Sequence, residues 1–236
     1  MAHRQKNRHL LGRSASIALA LVSVFGLSHA KSKQPAIVAP TGLTEVSIAG
    51  FHRSFVRAGS DLVTPRTVCV NSGELTFAAD SPRKIYGRLI SQADLQSLQK
   101  RFNDAVRTEF EKTFSNQAGY SLVNGTADAD CALRVVVSIR DLHLNVPEVM
   151  IPASTKSYAR SVGWLRVRID VMDRTGAVLL AQAHGARTDR EQFWGSGATE
   201  LLSESHRITD IDNIAFARTV GRVFGEYTRT RLLARR

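Results

Sequence analysis

The stretch C-A-L-R-V-V-V-S-I-R-D-L-H-L-N, from Cys131 to Asn145, is the strongest strand signal in the chain. Leu133, Val135, Val137 and Ile139 recur at every second position, and β-branched residues dominate. Leu142 and Leu144 follow after a one-residue change of phase. Arg134 and Arg140 alternate with the apolar set, which predicts one buried face and one partly wet face.

Outward from this strand, the other elements fall into place on either side. Arg66 to Phe77 reads as a strand with Val68 and Val70 on one face and Cys69 on the other, interrupted by a bulge or turn at Asn71-Ser72-Gly73. Ser91 and Asp94 form an approximate capping box ahead of a helix whose apolar stripe is Leu95, Leu98, Phe102, Ala105, Val106 and Phe110. Tyr120 to Val123 is a short apolar run. Trp164 to Met172 and Ala177 to His184 read as two strands joined by the turn Asp173-Arg174-Thr175-Gly176. A final helix is expected from about Asp210 to Leu233, with Phe216, Val220, Val223, Phe224 and Tyr227 on its apolar side. This order predicts an α/β chain of the α+β type: a two-layer sandwich whose mostly antiparallel sheet is covered on one face by two helices.

The ends and the cysteines point to a compartment. Residues 1–30 carry a basic start, an apolar run from Ile17 to Leu27, and Ser28-His29-Ala30 as a small-x-small cleavage site. That layout predicts a secretory signal peptide and a mature chain beginning at Lys31. The apolar run is shorter than the roughly 20 residues a membrane span needs, so no transmembrane span is expected after cleavage. No cysteine lies at the cleavage site, which excludes lipid anchoring there and makes a periplasmic location the expectation. Residues 31–47 read as a flexible lead, and 48–234 as a single domain. The only two cysteines, Cys69 and Cys131, are predicted to pair in an oxidising compartment.

The formal net charge of +11 is less than it first suggests. Taking the four bases of residues 1–30 from the 32 leaves 28 against 21 acids, a balance of +7. Such a surface suits an anionic envelope component or an acidic envelope protein, and export makes nucleic acid an unfitting partner.

The stretch from Ile139 to Asn145, the segment from Trp164 to Leu180 and the amphipathic C-terminal helix together resemble domain-of-unknown-function family 3313. Its members are uncharacterised bacterial envelope proteins, mostly predicted lipoproteins. The resemblance spans about residues 48 to 234 and implies an envelope protein without established catalytic residues. This chain departs from the usual member in lacking the lipidation cysteine.

No motif names a reaction. Asp141 and His143, two apart near the end of the central strand, share a face and are the candidate acid/base pair of a hydrolase-type alternative, although no G-x-S-x-G accompanies them. His184, His206 and Asp189 are scattered and lack metal-ligand spacing, and Gly195-Ser196-Gly197 lacks the lysine and helix of a phosphate loop. No cofactor or metal is therefore expected. Arg218, Arg222 and Arg229 make a basic stripe on the last helix. With Arg134, Arg140, Arg166 and Arg168 on strands they are the candidate anion-binding surface. Trp194 and Tyr158, in the loops 189–197 and 146–163, are candidate contact residues. The function these features favour is a binding or assembly module of the envelope, with self-association through an edge strand as a further option.

Overall fold

The chain divides into two units, Met1–Ala36 and Ile37–Arg236. The computed structural model describes residues 37–234 except 65, 82–83, 86–87, 116–119, 124–130, 146–157, 160–161, 189–205 and 208–209. The predicted signal segment and Trp194 lie outside the described residues.

The elements are β1 (Leu43–Val46), β2 (Arg53–Arg57), β3 (Arg66–Phe77), β4 (Lys84–Ile85), β5 (Arg88–Leu89), α1 (Gln92–Ser115), β6 (Tyr120–Leu122), β7 (Leu133–Leu144), β8 (Tyr158–Ala159), β9 (Gly163–Met172), β10 (Leu179–Thr188), β11 (His206–Arg207) and α2 (Asp210–Tyr227). Seven strands form the main sheet in the order β1-β2-β10-β9-β7-β3-β6. β7 pairs antiparallel with β9, β9 with β10, β10 with β2 and β2 with β1, while β3 runs parallel to both β7 and β6. The fold is thus the expected α+β sandwich, a mostly antiparallel sheet with two helices.

The phase change read in the central strand is a β-bulge. The register of β7 on β9 shifts between Arg140 and His143, and Asp141 there has φ +51°. The extra residue returns Leu142 and Leu144 to the buried face that Leu133, Val135, Val137 and Ile139 occupy. β3 carries matching irregularities between Ser72 and Leu75 and between Leu75 and Phe77, at the break expected after Asn71. Cys69 and Cys131 form a disulfide with Cα atoms 5.5 Å apart, across a sequence separation of 62. It staples the start of the parallel β3–β7 pair.

Ser91 caps α1 as its sequence predicts. Its Oγ accepts from the Asp94 backbone N–H at 3.1 Å, and its hydroxyl donates to the Asp94 carboxylate at 2.6 Å. Leu95, Leu98, Phe102, Val106, Phe110 and Phe114 are buried along one side. They meet the buried side of α2, formed by Phe216, Ala217, Val220 and Phe224, above the sheet. Phe102 faces Phe216 with ring centroids 6.2 Å apart, and a Cβ on Gly221 would lie 2.3 Å from the Val106 carbonyl oxygen. Residues therefore advance together along both helices, which run parallel, and Gly221 and Gly225 let the backbones approach. Burying this apolar layer is the main drive to fold, at roughly 25 cal/mol per Å² of apolar surface removed from water.

Several elements differ from the sequence reading: β2, β4, β5 and β11 form where no strand was read, and β10 runs to Thr188 instead of ending at His184. The stretch 31–47, read as a lead, contains β1, whose Leu43 is buried and which pairs with β2 from Leu43↔Arg57 to Val46↔Ser54. A four-residue edge strand with alternating polar residues has too little periodicity to show in sequence. The loop 146–163 contains β8, which pairs with β11 through His206↔Ala159 and Arg207↔Tyr158. The last helix does not continue to Leu233. Its α-helical part ends at Tyr227, and Thr228–Leu232 form a π-helical turn in which the Leu233 N–H donates to the Thr228 carbonyl at 2.8 Å.

Candidate functional site

The sheet separates the candidate residues into two groups. Leu165, Val167, Ile169 and Val171 of β9 are buried in the core shared with the helices, so Trp164, Arg166, Arg168 and Asp170 belong to the opposite face. By the same alternation Arg134 and Arg140 of β7 share that opposite face. Arg218 and Arg222 are exposed on α2, whose buried side meets the core. The single anion-binding surface expected from strand and helix arginines together is therefore not formed, because the apolar core lies between them.

The two groups also differ in how their charge is compensated. On the sheet face Arg140 pairs with Glu74 at 2.7 Å, Arg166 with Asp141 at 3.0 Å, Arg168 with Asp170 at 2.9 Å, and Arg53 hydrogen-bonds Glu45 at 2.8 Å. Arg134 donates to the Arg174 carbonyl at 3.4 Å. On α1 three cations are matched along the helix: Lys100 with Asp104, Arg107 with Glu111 and Lys112 with Glu109. Arg218 and Arg222, one turn apart, have no acidic partner among the described residues. Arg229 lies in the π-helical turn instead of the α-helical stripe. It is half-buried, and its Nε has no hydrogen-bond partner.

Asp141 and His143 do not bond to each other. The bulge turns Asp141 toward Arg166, while His143 Nδ1 lies 3.3 Å from an Asp80 carboxylate oxygen and Nε2 lies 3.1 Å from the Asn145 side-chain oxygen. The His143 ring also stacks on Trp164, with centroids 5.7 Å apart and planes 9° from parallel. The carboxylate that orients this histidine is Asp80, 63 residues away, and no spacing in the sequence pointed to it. Both ring nitrogens are occupied by side chains that hold the imidazole in place. Of the contact candidates, Tyr158 is placed in β8 and Trp194 lies outside the described residues.

His184, read in the sequence only as a scattered histidine, belongs to a second polar group with Gln182 and Asp170. Gln182 Nε2 donates to Asp170 at 2.7 Å, and His184 Nε2 lies 2.9 Å from Gln182 Oε1. Phe55, fully buried, meets the His184 ring edge-on with centroids 6.2 Å apart, and the Arg53 guanidinium lies 5.2 Å from the Phe55 centroid. Burial holds the His184 imidazole below its ordinary value, Arg168 and Arg53 push the same way, and Asp170 opposes them. The signal available in sequence was only the alternation of polar residues on β9 and β10.

No group of three or more metal-ligating side chains occurs among the described residues, and no described helix is long and apolar enough to cross a membrane. No family model matches the chain, and no curated protein matches it. Solved structures give distant likenesses. A PelC dodecamer from Paraburkholderia phytofirmans is 9% identical, with 77% of this chain and 96% of that one covered and a TM-score of 0.30. A protein of domain-of-unknown-function family 330 from Xanthomonas campestris is 8% identical over 73% of this chain and 88% of its own, with a TM-score of 0.36. A hypothetical protein from Chlamydia trachomatis is 7% identical over 70% and 99% respectively, with a TM-score of 0.31. At these values the likenesses say nothing of function.

Proposed function

We propose that this chain is an exported binding module of the bacterial envelope, of the kind that domain-of-unknown-function family 3313 represents, and that α2 presents Arg218 and Arg222 to an anionic envelope component or an acidic protein. The observation that carries the reading is the difference in charge compensation. Arg140, Arg166, Arg168, Arg53 and Arg107 are paired with Glu74, Asp141, Asp170, Glu45 and Glu111, whereas Arg218 and Arg222 are exposed and form no ion pair with an acid among the described residues. An exposed guanidinium outside an ion pair keeps its fork of donors for a carboxylate or phosphate.

Two features support the reading of an exported protein. Residues 1–30 have the layout of a secretory signal, and the chain's two cysteines are joined in a disulfide, which persists in an oxidising compartment. The periplasm is the compartment this combination fits.

Salt-washed envelope tests the reading. Mature protein retained on envelope at low salt is expected to be released as salt is raised, because exposed charges are screened. The Arg218→Ala/Arg222→Ala double variant is expected in the soluble fraction at low salt. Equal retention of the double variant contradicts the assignment to α2, and recovery of the protein in the cytoplasm with both thiols free contradicts export.

A further inference from the structure

The polar row on the sheet face has a fixed proton arrangement. Asp170, 4% exposed, accepts from Arg168 Nε and from Gln182 Nε2. A carboxylate can only accept, so the Gln182 amide must turn its nitrogen to Asp170 and its oxygen to His184. His184 Nε2 must then be the protonated nitrogen of the neutral ring, and any second proton goes to Nδ1.

The same row ties the edge hairpin to the sheet. β10 pairs with β2 only from Ala181↔Val56 to His184↔Arg53, and the His52 N–H donates to the His184 carbonyl at 2.8 Å. Beyond this short ladder, Phe55 packs against the His184 ring, and Arg53 lies over Phe55 while bonding Glu45 of β1 and the Ile37 carbonyl. Among the described residues the charged groups that act on the His184 ring are Arg168 and Asp170 on β9 and Arg53 on the hairpin, while His52 meets it through its backbone N–H and Glu45 of β1 bonds Arg53. Asp170 is the only carboxylate among the causes that act on the ring, and it is already engaged by Arg168 and Gln182.

We infer that the β1–β2 hairpin is held by an acid-released latch: a second proton on His184 sets a third cation between Arg53 and Arg168, and the ladder from β2 to β10 opens. Opening uncovers the Ala181–His184 edge of β10, a run of backbone donors and acceptors that another strand can take up. The latch lies on the sheet face and does not depend on the α2 reading.

The sign follows from the folded ring being harder to protonate than the unfolded one. Stability from the neutral ring is complete above the ordinary value of 6.5 and is lost as pH falls through the lower folded value. Hydrogen exchange of the mature chain, corrected for the intrinsic effect of pH, reads this segment by segment. Between about pH 7.5 and about pH 5, protection of Arg53–Arg57 is expected to fall roughly tenfold relative to the Val135–Ile139 core of β7. His184→Gln, whose amide does not titrate and can still donate to Gln182, is expected to abolish that fall. An unchanged hairpin in the native chain, or the same fall in the variant, overturns the latch. The ring of His184, followed by NMR in the native chain, is expected to titrate at the pH where hairpin protection is lost, and a mismatch of those midpoints also overturns it.

Discussion

At Asp141 the backbone adopts φ +51°, which aspartate tolerates and a β-branched residue does not. Asp141→Val is expected to cost about 1–2 kcal/mol in urea unfolding, the penalty of a β-carbon in the left-handed region. Asp141→Asn keeps the conformational tolerance and loses only an exposed ion pair with Arg166, so its change is expected to stay within about 0.5 kcal/mol. Comparable losses in both variants would show that the ion pair, not the backbone, matters there. Ser54 gives the opposite case. It is fully buried with an unpartnered Oγ, so Ser54→Ala is expected to be neutral or stabilising by up to about 1 kcal/mol, and a loss above that range contradicts an unsatisfied hydroxyl. The sequence shows Asp141 and His143 side by side and invites pairing them. Their true partners, Arg166 and Asp80, come from β9 and from the segment after β3, and such meetings depend on strand order, which local periodicity does not contain.

Among the elements, those with long periodic patterns were legible: β7, β9, β10, the capped α1 and the apolar side of α2. The phase change in β7 even located its bulge. Elements set by tertiary context were not legible, among them β1, β2, β8, the two-residue strands β4, β5 and β11, and the π-helical end of the last helix. The Gly221 and Gly225 pair was likewise silent, because a glycine in a helix reads as a weakness until its neighbour is known. Here a Cβ on Gly221 would meet the Val106 carbonyl at 2.3 Å and one on Gly225 would meet Thr113 Oγ1 at 2.7 Å. Gly221→Val is therefore expected to destabilise by about 1–3 kcal/mol or more through overpacking, read as a lowered urea midpoint. A gain in stability, as helix propensity alone would give, contradicts close helix packing. The Cys69–Cys131 staple acts mainly on the unfolded chain. Replacing both cysteines by serine is expected to cost on the order of 4 kcal/mol, and a negligible cost contradicts a closed disulfide in the native protein.

For the whole molecule, the sandwich puts two chemically different surfaces on opposite sides of one core. On the sheet face Glu74, Asp141 and Asp170 each lie beside an arginine, and on the outer side of α2 Arg218 and Arg222 form no ion pair with an acid among the described residues. Sequence spacing put Arg218 and Arg222 on one side of the last helix but joined them to the strand arginines, since residue spacing on two elements does not say on which side of a sheet each element lies. Photocrosslinking from α2 in the native envelope, with captured species identified by mass, tests the central claim most directly. The account predicts an adduct with an anionic envelope component or acidic protein that is present in the native chain and lost when Arg218 and Arg222 are both replaced by alanine. The same adducts from both proteins would contradict it.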